Sequence, residues 1–306
     1  MKELWTEKYR PNTLNGYVFR DDSQKKQVQK WVDEKTIPHL LFSGSAGVGK
    51  TTLAKILINL LGVNQFDLLE INASRENSVD TIREKITNFV STMPFGDYKV
   101  VLLDEADYMS PNGQAALRGV METYSSSSRF ILTCNYPNKI IPAIHSRCQG
   151  FHIEKIDKTE FTARIAEVLM TEEVQFELDV LDSYVIATYP DLRKCLNVCQ
   201  MNSTDGMLTS PKGDESLLSD YKVAVVDFFK QGKINEGRKY LVQNVNPDEI
   251  EGVYRWMYDN LELFASNDES KDKAILSIRK GLVNHSFVAD PEINLSATLI
   301  ELTSET

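Results

Sequence analysis

The sequence has no apolar run approaching the roughly 20 residues that a membrane helix needs. Its opening, MKELWTEKYR, is too polar for a secretory leader. Both absences point away from a membrane and toward the cytoplasm. Cysteine is scarce. Cys134, Cys148, Cys195 and Cys199 form no Cys-x-x-Cys pair, which argues against a zinc knuckle or a disulfide framework and for a reducing compartment. Cys195 and Cys199 share a helical face and read as core. Apart from Ser125–Ser128, read as a turn between helix and strand, low-complexity runs are absent, and so are internal repeats. An excess of positive charge is lacking too. The net charge of -10 speaks at face value against a nucleic-acid binder. The balance is uneven, however: residues 1–150 carry 18 Lys and Arg against 16 Asp and Glu, and residues 151–306 carry 16 against 28. The first half retains room for a basic surface that meets phosphates.

What is present has an ordinary globular composition, 42% hydrophobic and 25% charged, over 306 residues, a length for two or three domains. Through residue 150 the period alternates. HLLFSG, DLLEINA, KVVLLDEAD and RFILTCN read as strands. KTTLAKILINLLG, SVDTIREKITNFVSTM and NGQAALRGVMETY read as helices. Such alternation predicts a parallel sheet between helices, with ligands beyond the carboxyl ends of the strands. GFHIEKI reads as a last strand. Helical patterns dominate thereafter, interrupted by NSTDGMLTSPKGDES, whose composition reads as a linker.

GSAGVGKT, Gly44 to Thr51, fits a phosphate-binding loop, and it follows a predicted strand and opens a predicted helix. Gly44, Gly47 and Gly49 let backbone N–H groups turn toward phosphate oxygens, Lys50 reaches the terminal phosphates and Thr51 supplies an oxygen to Mg²⁺. A glycine-rich turn that binds nothing is the competing reading. In VVLLDEAD, Asp104 emerges at a strand end to hold Mg²⁺ and Glu105 polarises an attacking water. Acidic strand ends are common, so the pairing with the glycine-rich loop carries this reading. Asn135, ending RFILTCN, either orients that water or forms a turn. In IPAIHSRCQG, Arg147 has no acidic residue within several positions. It is either a surface arginine capping nearby carbonyls or one held for a negative charge supplied elsewhere.

Taken in order, TEKYRP, GSAGVGKTT, DEAD, QAALRGVME, CN, SRC and PDLRK resemble the clamp-loader branch of the AAA+ ATPases, that of replication factor C small subunits and the large loader subunit of T-even-like phages. The resemblance covers residues 4 to about 200. INASRENSVD and ALRGVME depart from that branch's LNASDDRGID and ALRRTME. The resemblance implies an α/β AAA+ P-loop domain with a parallel sheet over 1–153, a helical lid over 154–203, a linker over 204–216 and a helical, oligomerising collar over 217–306. It implies ATP and Mg²⁺ as cofactors. Thr6, Glu7, Lys8, Tyr9 and Val18 would line the adenine side, with Arg10 and Pro11 fixing that segment. Val48 and Thr52 would complete the phosphate loop's contacts, and Arg193 would reach the phosphates from the lid. Glu105 and Asn135 would serve catalysis, and Arg147 would reach the ATP of a neighbouring subunit. Arg83 and Lys85 would track DNA phosphates, and Gln114 and Arg118 would couple nucleotide to DNA, although a plain surface glutamine fits Gln114 as well.

The function implied is that of an ATPase motor subunit, working with further copies of itself and a clamp-opening subunit in a pentamer. It would act on a sliding clamp and primer-template DNA, with no membrane involved, in a host cytoplasm for a phage source, which short length and the absence of an extended C-terminus favour, and in the nucleus only for a eukaryotic one. Competing readings are an AAA+ DNA translocase or helicase, a protein-remodelling ATPase, for which PFGD (Pro94 to Asp97) supplies an aromatic-glycine pair, and a scaffold that binds ATP without hydrolysis.

Overall fold

The computed structural model describes residues 3–75, 79–153, 156–209, 221–265 and 267–304. In chain order the elements are α1 (Trp5–Lys8), α2 (Asp22–Asp33), β1 (Leu40–Ser43), α3 (Lys50–Leu60), β2 (Leu68–Asn72), α4 (Val79–Val90), β3 (Lys99–Asp104), α5 (Pro111–Thr123), β4 (Ser128–Cys134), α6 (Pro142–His145), β5 (Gln149–His152), α7 (Lys158–Thr171), α8 (Leu178–Thr188), α9 (Leu192–Asn202), β6 (Ser203–Thr204), β7 (Met207–Leu208), α10 (Tyr221–Lys230), α11 (Ile234–Asn244), α12 (Ile250–Asp259), α13 (Asp268–His285) and α14 (Pro291–Ser304). By their contacts they form two compact units, residues 1–164 with 190–193, and 165–189 with 194–306.

The first unit is built on a five-stranded parallel sheet in the order β2-β3-β4-β1-β5. Side chains alternate along a strand, so each strand feeds two layers. Leu41, Val101, Leu103, Phe130 and Leu132 bury against Ile86 and Val90 of α4 and Leu117 and Met121 of α5. The intervening Leu40, Phe42, Leu102 and Ile131 are equally buried, and α3 packs across β3 and β4 on that side. Burial on both faces is why these strands read as continuous apolar runs. The last strand ends earlier than the sequence suggests, at His152, and Glu154 and Lys155 lie outside the described residues.

The aromatic-glycine pair of PFGD is held in a turn by a buried carboxylate. Asp67 accepts the backbone N–H of Phe95 (2.9 and 3.0 Å to its two oxygens) and of Gly96 (2.8 Å). His39, at the entry to β1, accepts the Phe130 N–H at Nδ1 (3.2 Å). Burial, and then the Arg129 guanidinium, push its pKa down to about 4. The unfolded chain binds a proton there near pH 6.5 and the folded chain does not, so stability falls as pH drops from about 6.5 to about 4. With the ring partly exposed, about 1–2 kcal/mol is at stake. Urea unfolding across that range should show a shallower pH slope for His39→Gln than for the parent.

Among its described residues the second unit is helical apart from one hairpin. α10 packs on α8 and α11, and α13 on α12 and α14. Trp256 donates its indole N–H to the Ile186 carbonyl (3.0 Å). Asn294 donates to both Tyr254 Oη (2.7 Å) and the Gly281 carbonyl (2.9 Å). Within the stretch that reads as linker, β6 and β7 pair antiparallel. Asp205 and Gly206 both take positive φ, 52° and 75°, the requirement of a two-residue hairpin turn that Asp-Gly satisfies. Residues 210–220 lie outside the described residues.

Candidate nucleotide site

The loop from Gly44 to Gly49 runs from the end of β1 to the start of α3. Gly47 and Gly49 have φ of 75° and 92°, and a side chain has no room at either. A Cβ on Gly47 would lie 1.7 Å from Asp191 Oδ1, and one on Gly49 would lie 2.9 Å from the Tyr17 ring. Tyr17 is buried and donates its hydroxyl toward the Val48 carbonyl (3.4 Å).

Lys50, the first residue of α3, is buried. Its Nζ donates to the carbonyls of Gly44 (2.8 Å) and Ser45 (2.6 Å) and to Asn135 Oδ1 (2.7 Å). Burial lowers its pKa, opposed by Cys134, Asp104 and Asp107 and assisted by Arg193. The Lys50–Asn135 contact follows from the strand order. β4 lies between β1 and β3, so the residue just past its end falls between the glycine-rich loop and the acidic strand end.

Thr51 Oγ1 donates to Asp104 Oδ1 (2.6 Å), and Thr133 Oγ1 from β4 donates to the same oxygen (2.7 Å). Thr133 Oγ1 also accepts the Glu105 N–H (3.0 Å). Glu105 itself is left-handed at φ 57°, an uncommon conformation for a non-glycine residue that turns the chain sharply off the strand. Asp107 binds the other side of the turn. One of its oxygens accepts the N–H of Asn135 (3.2 Å) and of Tyr136 (3.1 Å), while its buried Oδ1 has no hydrogen-bond partner among the described residues. Thr133, Asp107 and Tyr17 are absent from the residues that sequence reasoning selected. For Asp107 the signal was present, as the last letter of DEAD. For Thr133 it was the β-register that sets β4 beside β3. Cys134, also at this end of β4, is no nucleophile, because burial pushes its thiol up to about 12.

A cleft of about 360 Å³ opens beside Thr51, Thr52 and Asp104, with Arg10, Arg75 and Arg193 among its walls. Lys50 is adjacent, and Lys55 and Glu70, which pair with each other (2.9 Å), also line the cleft. Cations outnumber carboxylates there, an arrangement suited to a polyphosphate. Thr51 and Asp104 together offer the hard oxygen donors that Mg²⁺ takes alongside phosphate oxygens. Among the described residues no group of three or more His, Cys, Asp or Glu is placed to hold a metal alone.

Thr6, Glu7 and Lys8 lie in α1, Tyr9 caps it, and Arg10 pairs with Glu7 (3.0 Å). Arg164 donates to the Tyr9 carbonyl (3.1 Å), and Val18 is buried one residue from Tyr17. Arg193 is exposed in the first turn of α9. Arg83 and Lys85 are exposed on α4, but two positions on a helix turn about 200°, so they do not share a face.

Gln114 is not a surface glutamine. It is 1% exposed, donates to the carbonyls of Met109 (3.1 Å) and Lys139 (3.0 Å), and accepts the Ile141 N–H (2.8 Å). It therefore ties the segment after Glu105 to the segment before α6. Arg147 does have an acidic partner, although a distant one in sequence. Its Nη2 bonds Glu122 of α5, and its Nη1 donates to the Ala143 carbonyl (2.8 Å). The 25 positions between Glu122 and Arg147 hid this pair from a reading of local sequence.

Residues 40–155 match the model of the ATPase family associated with various cellular activities (AAA). A replication factor C small subunit from Methanococcus vannielii is 40% identical over 99% of each chain. One from Staphylothermus marinus is 34% identical over 98% of this chain and 94% of its own. One from Archaeoglobus fulgidus is 43% identical over 65% and 63%. Among solved structures, the RuvB Holliday junction branch migration motor of Thermotoga maritima matches with a TM-score of 0.54 and 14% identity, over 76% of this chain and 85% of that one. That likeness is one of fold. The similarity along the full length is what assigns the chain, and it belongs to the replication factor C small subunit family of AAA ATPases.

Proposed function

We propose that this chain is the ATP-hydrolysing motor subunit of a DNA polymerase sliding-clamp loader, in which ATP binding opens the clamp and grips primer-template DNA and hydrolysis releases the closed clamp. The observation that carries this reading is the meeting of Lys50, Asn135, Thr51 and Asp104 within hydrogen-bond distance, in a chain related over nearly its whole length to replication factor C small subunits. Lys50 and Arg193 bind the phosphates of the chain's own ATP. Thr51 and Asp104 hold Mg²⁺, which supplies charge neutralisation on the phosphates. Glu105 takes the proton of the attacking water, which Asn135 orients, and Arg147 meets the ATP of a neighbouring copy. The residues after 153 serve as lid and, beyond 217, as a collar joining several copies and a clamp-opening subunit into a pentamer.

Arg83 and Lys85 contribute phosphate contacts, with Gln114 and Arg118 linking them to the nucleotide. A translocating motor gains nothing from the RuvB likeness, which at 14% identity speaks for the fold alone. Steady-state ATP turnover of the assembled loader tests the proposal. A recessed primer-template should stimulate it, and the clamp should stimulate it further. Equal stimulation by single-stranded DNA, indifferent to the clamp, would refute it.

A further inference from the structure

Glu122 sits in the last turn of α5, and one of its oxygens serves two guanidinium groups. Arg147 Nη2 bonds it, and Arg118 Nε, one turn earlier on the same helix, lies 3.7 Å away. Arg147 is fixed from a second direction as well, since its Nη1 donates to the Ala143 carbonyl (2.8 Å) and to Ser146 Oγ (3.1 Å). A free arginine has rotamer freedom to lose when it docks. Here two separate segments, α5 and the turn after α6, have ordered it within its own chain. Of five guanidinium N–H groups, these contacts use three, and the side chain remains 31% exposed. The Nε–H and the second Nη2–H have no hydrogen-bond partner among the described residues. Arg118 offsets the carboxylate charge, so the trio stays net positive and retains its attraction for a phosphate.

We propose that Glu122 is a positioning residue for hydrolysis at a neighbouring copy's nucleotide: it holds Arg147 in the orientation in which its free donors meet that copy's terminal phosphate. This rests on Arg147 acting in trans. An ordinary exposed ion pair contributes little to stability and moves nothing else. A positioning role moves turnover and is coupled to Arg147.

The test uses the full chain assembled with its loader partners, clamp and primed DNA, and compares Glu122→Ala, Glu122→Gln, Arg147→Ala and the Glu122→Ala/Arg147→Ala double variant. Turnover, ATP affinity and melting temperature are measured for each. Glu122→Ala is expected to lower kcat about 10- to 100-fold with ATP affinity unchanged, the scale of loss when a reacting group is misplaced by about an ångström. Glu122→Gln, whose amide oxygen still accepts from Arg147, should recover most of that. The double variant should match Arg147→Ala alone, because the two act as one unit. Parental turnover in Glu122→Ala, raised turnover, or additive losses would each overturn the proposal. If Arg147→Ala itself turns over normally, the trans reading has failed. If Arg147→Ala is inactive while Glu122→Ala is normal, only the role of Glu122 has failed.

Discussion

Arg147→Ala is expected to bind ATP with parental affinity and to lose turnover by about 10³- to 10⁵-fold in the assembled loader, the range associated with an arginine that stabilises transferring phosphate in trans. The expectation of intact binding follows from where the side chain is anchored. Its hydrogen bonds run to Glu122, Ala143 and Ser146, none of which contributes to the chain's own cluster around Lys50. Removing it also leaves no buried cavity, since it is partly exposed. The decisive measurement mixes two inactive variants. A Lys50→Ala subunit presents an intact Arg147 to an Arg147→Ala neighbour whose own nucleotide site is intact, so mixed assemblies should regain a fraction of parental turnover. An Arg147→Ala protein that hydrolyses ATP at the parental rate would remove the trans assignment.

Lys50→Ala is expected to raise the Kd for both ATP and ADP by about 100-fold or more, equivalent to about 3 kcal/mol, the loss of one strong charge-assisted contact in a buried setting. The ammonium is already held at the mouth of the loop by Gly44, Ser45 and Asn135, so binding requires an exchange of acceptors and not a search by a flexible chain. The alanine variant also leaves those acceptors without their donor, and a modest fall in melting temperature accompanies the loss. Lys50→Met keeps the aliphatic stem and separates the two effects: nucleotide affinity should stay as low as in Lys50→Ala while melting temperature partly recovers. Isothermal titration with ADP and with a non-hydrolysable ATP analogue reads the affinity directly. Parental affinity in Lys50→Ala would contradict the assignment of the loop.

The sheet and the centre of the candidate nucleotide site were legible because their signals are local. Apolar runs, Leu40–Phe42 and Val100–Leu103, announce β1 and β3, and glycine followed by Lys-Thr announces the turn between strand and helix. Asn135 was legible as a polar residue at a strand end, and the strand order then brings it to Lys50. The rest depends on residues that approach only when the sheet closes. Thr133 reaches Asp104 because β4 and β3 are neighbours, and nothing in RFILTCN marks its threonine. Glu122 belongs to α5 and Arg147 to the turn after α6, 25 positions apart. Gln114 looks like any exposed helix glutamine, and its burial is set by the carbonyls of Met109 and Lys139. The Asp205-Gly206 turn is a different case. Its signal is local and strong, but it was masked by the polar, glycine- and proline-containing run in which it sits.

The strand order also governs when the nucleotide site comes into being during synthesis. β2 and β3 pair with each other, so the ribosome delivers that ladder soon after its members emerge. β1 has no such early partner. Leu40 lies opposite Ile131 on one side and Gln149 on the other, and at about 5–20 residues per second the first of these follows several seconds later. During that interval the nascent chain carries LLFS, buried along its whole length in the finished protein, with no strand to receive it. A chain arrested before Ser128 would display every residue of the glycine-rich loop and bind no nucleotide. The site is therefore complete only with the first unit, whose last segment is residues 190–193, and a nascent-chain series of increasing length should reach full ATP affinity no earlier than Arg193 has cleared the exit tunnel.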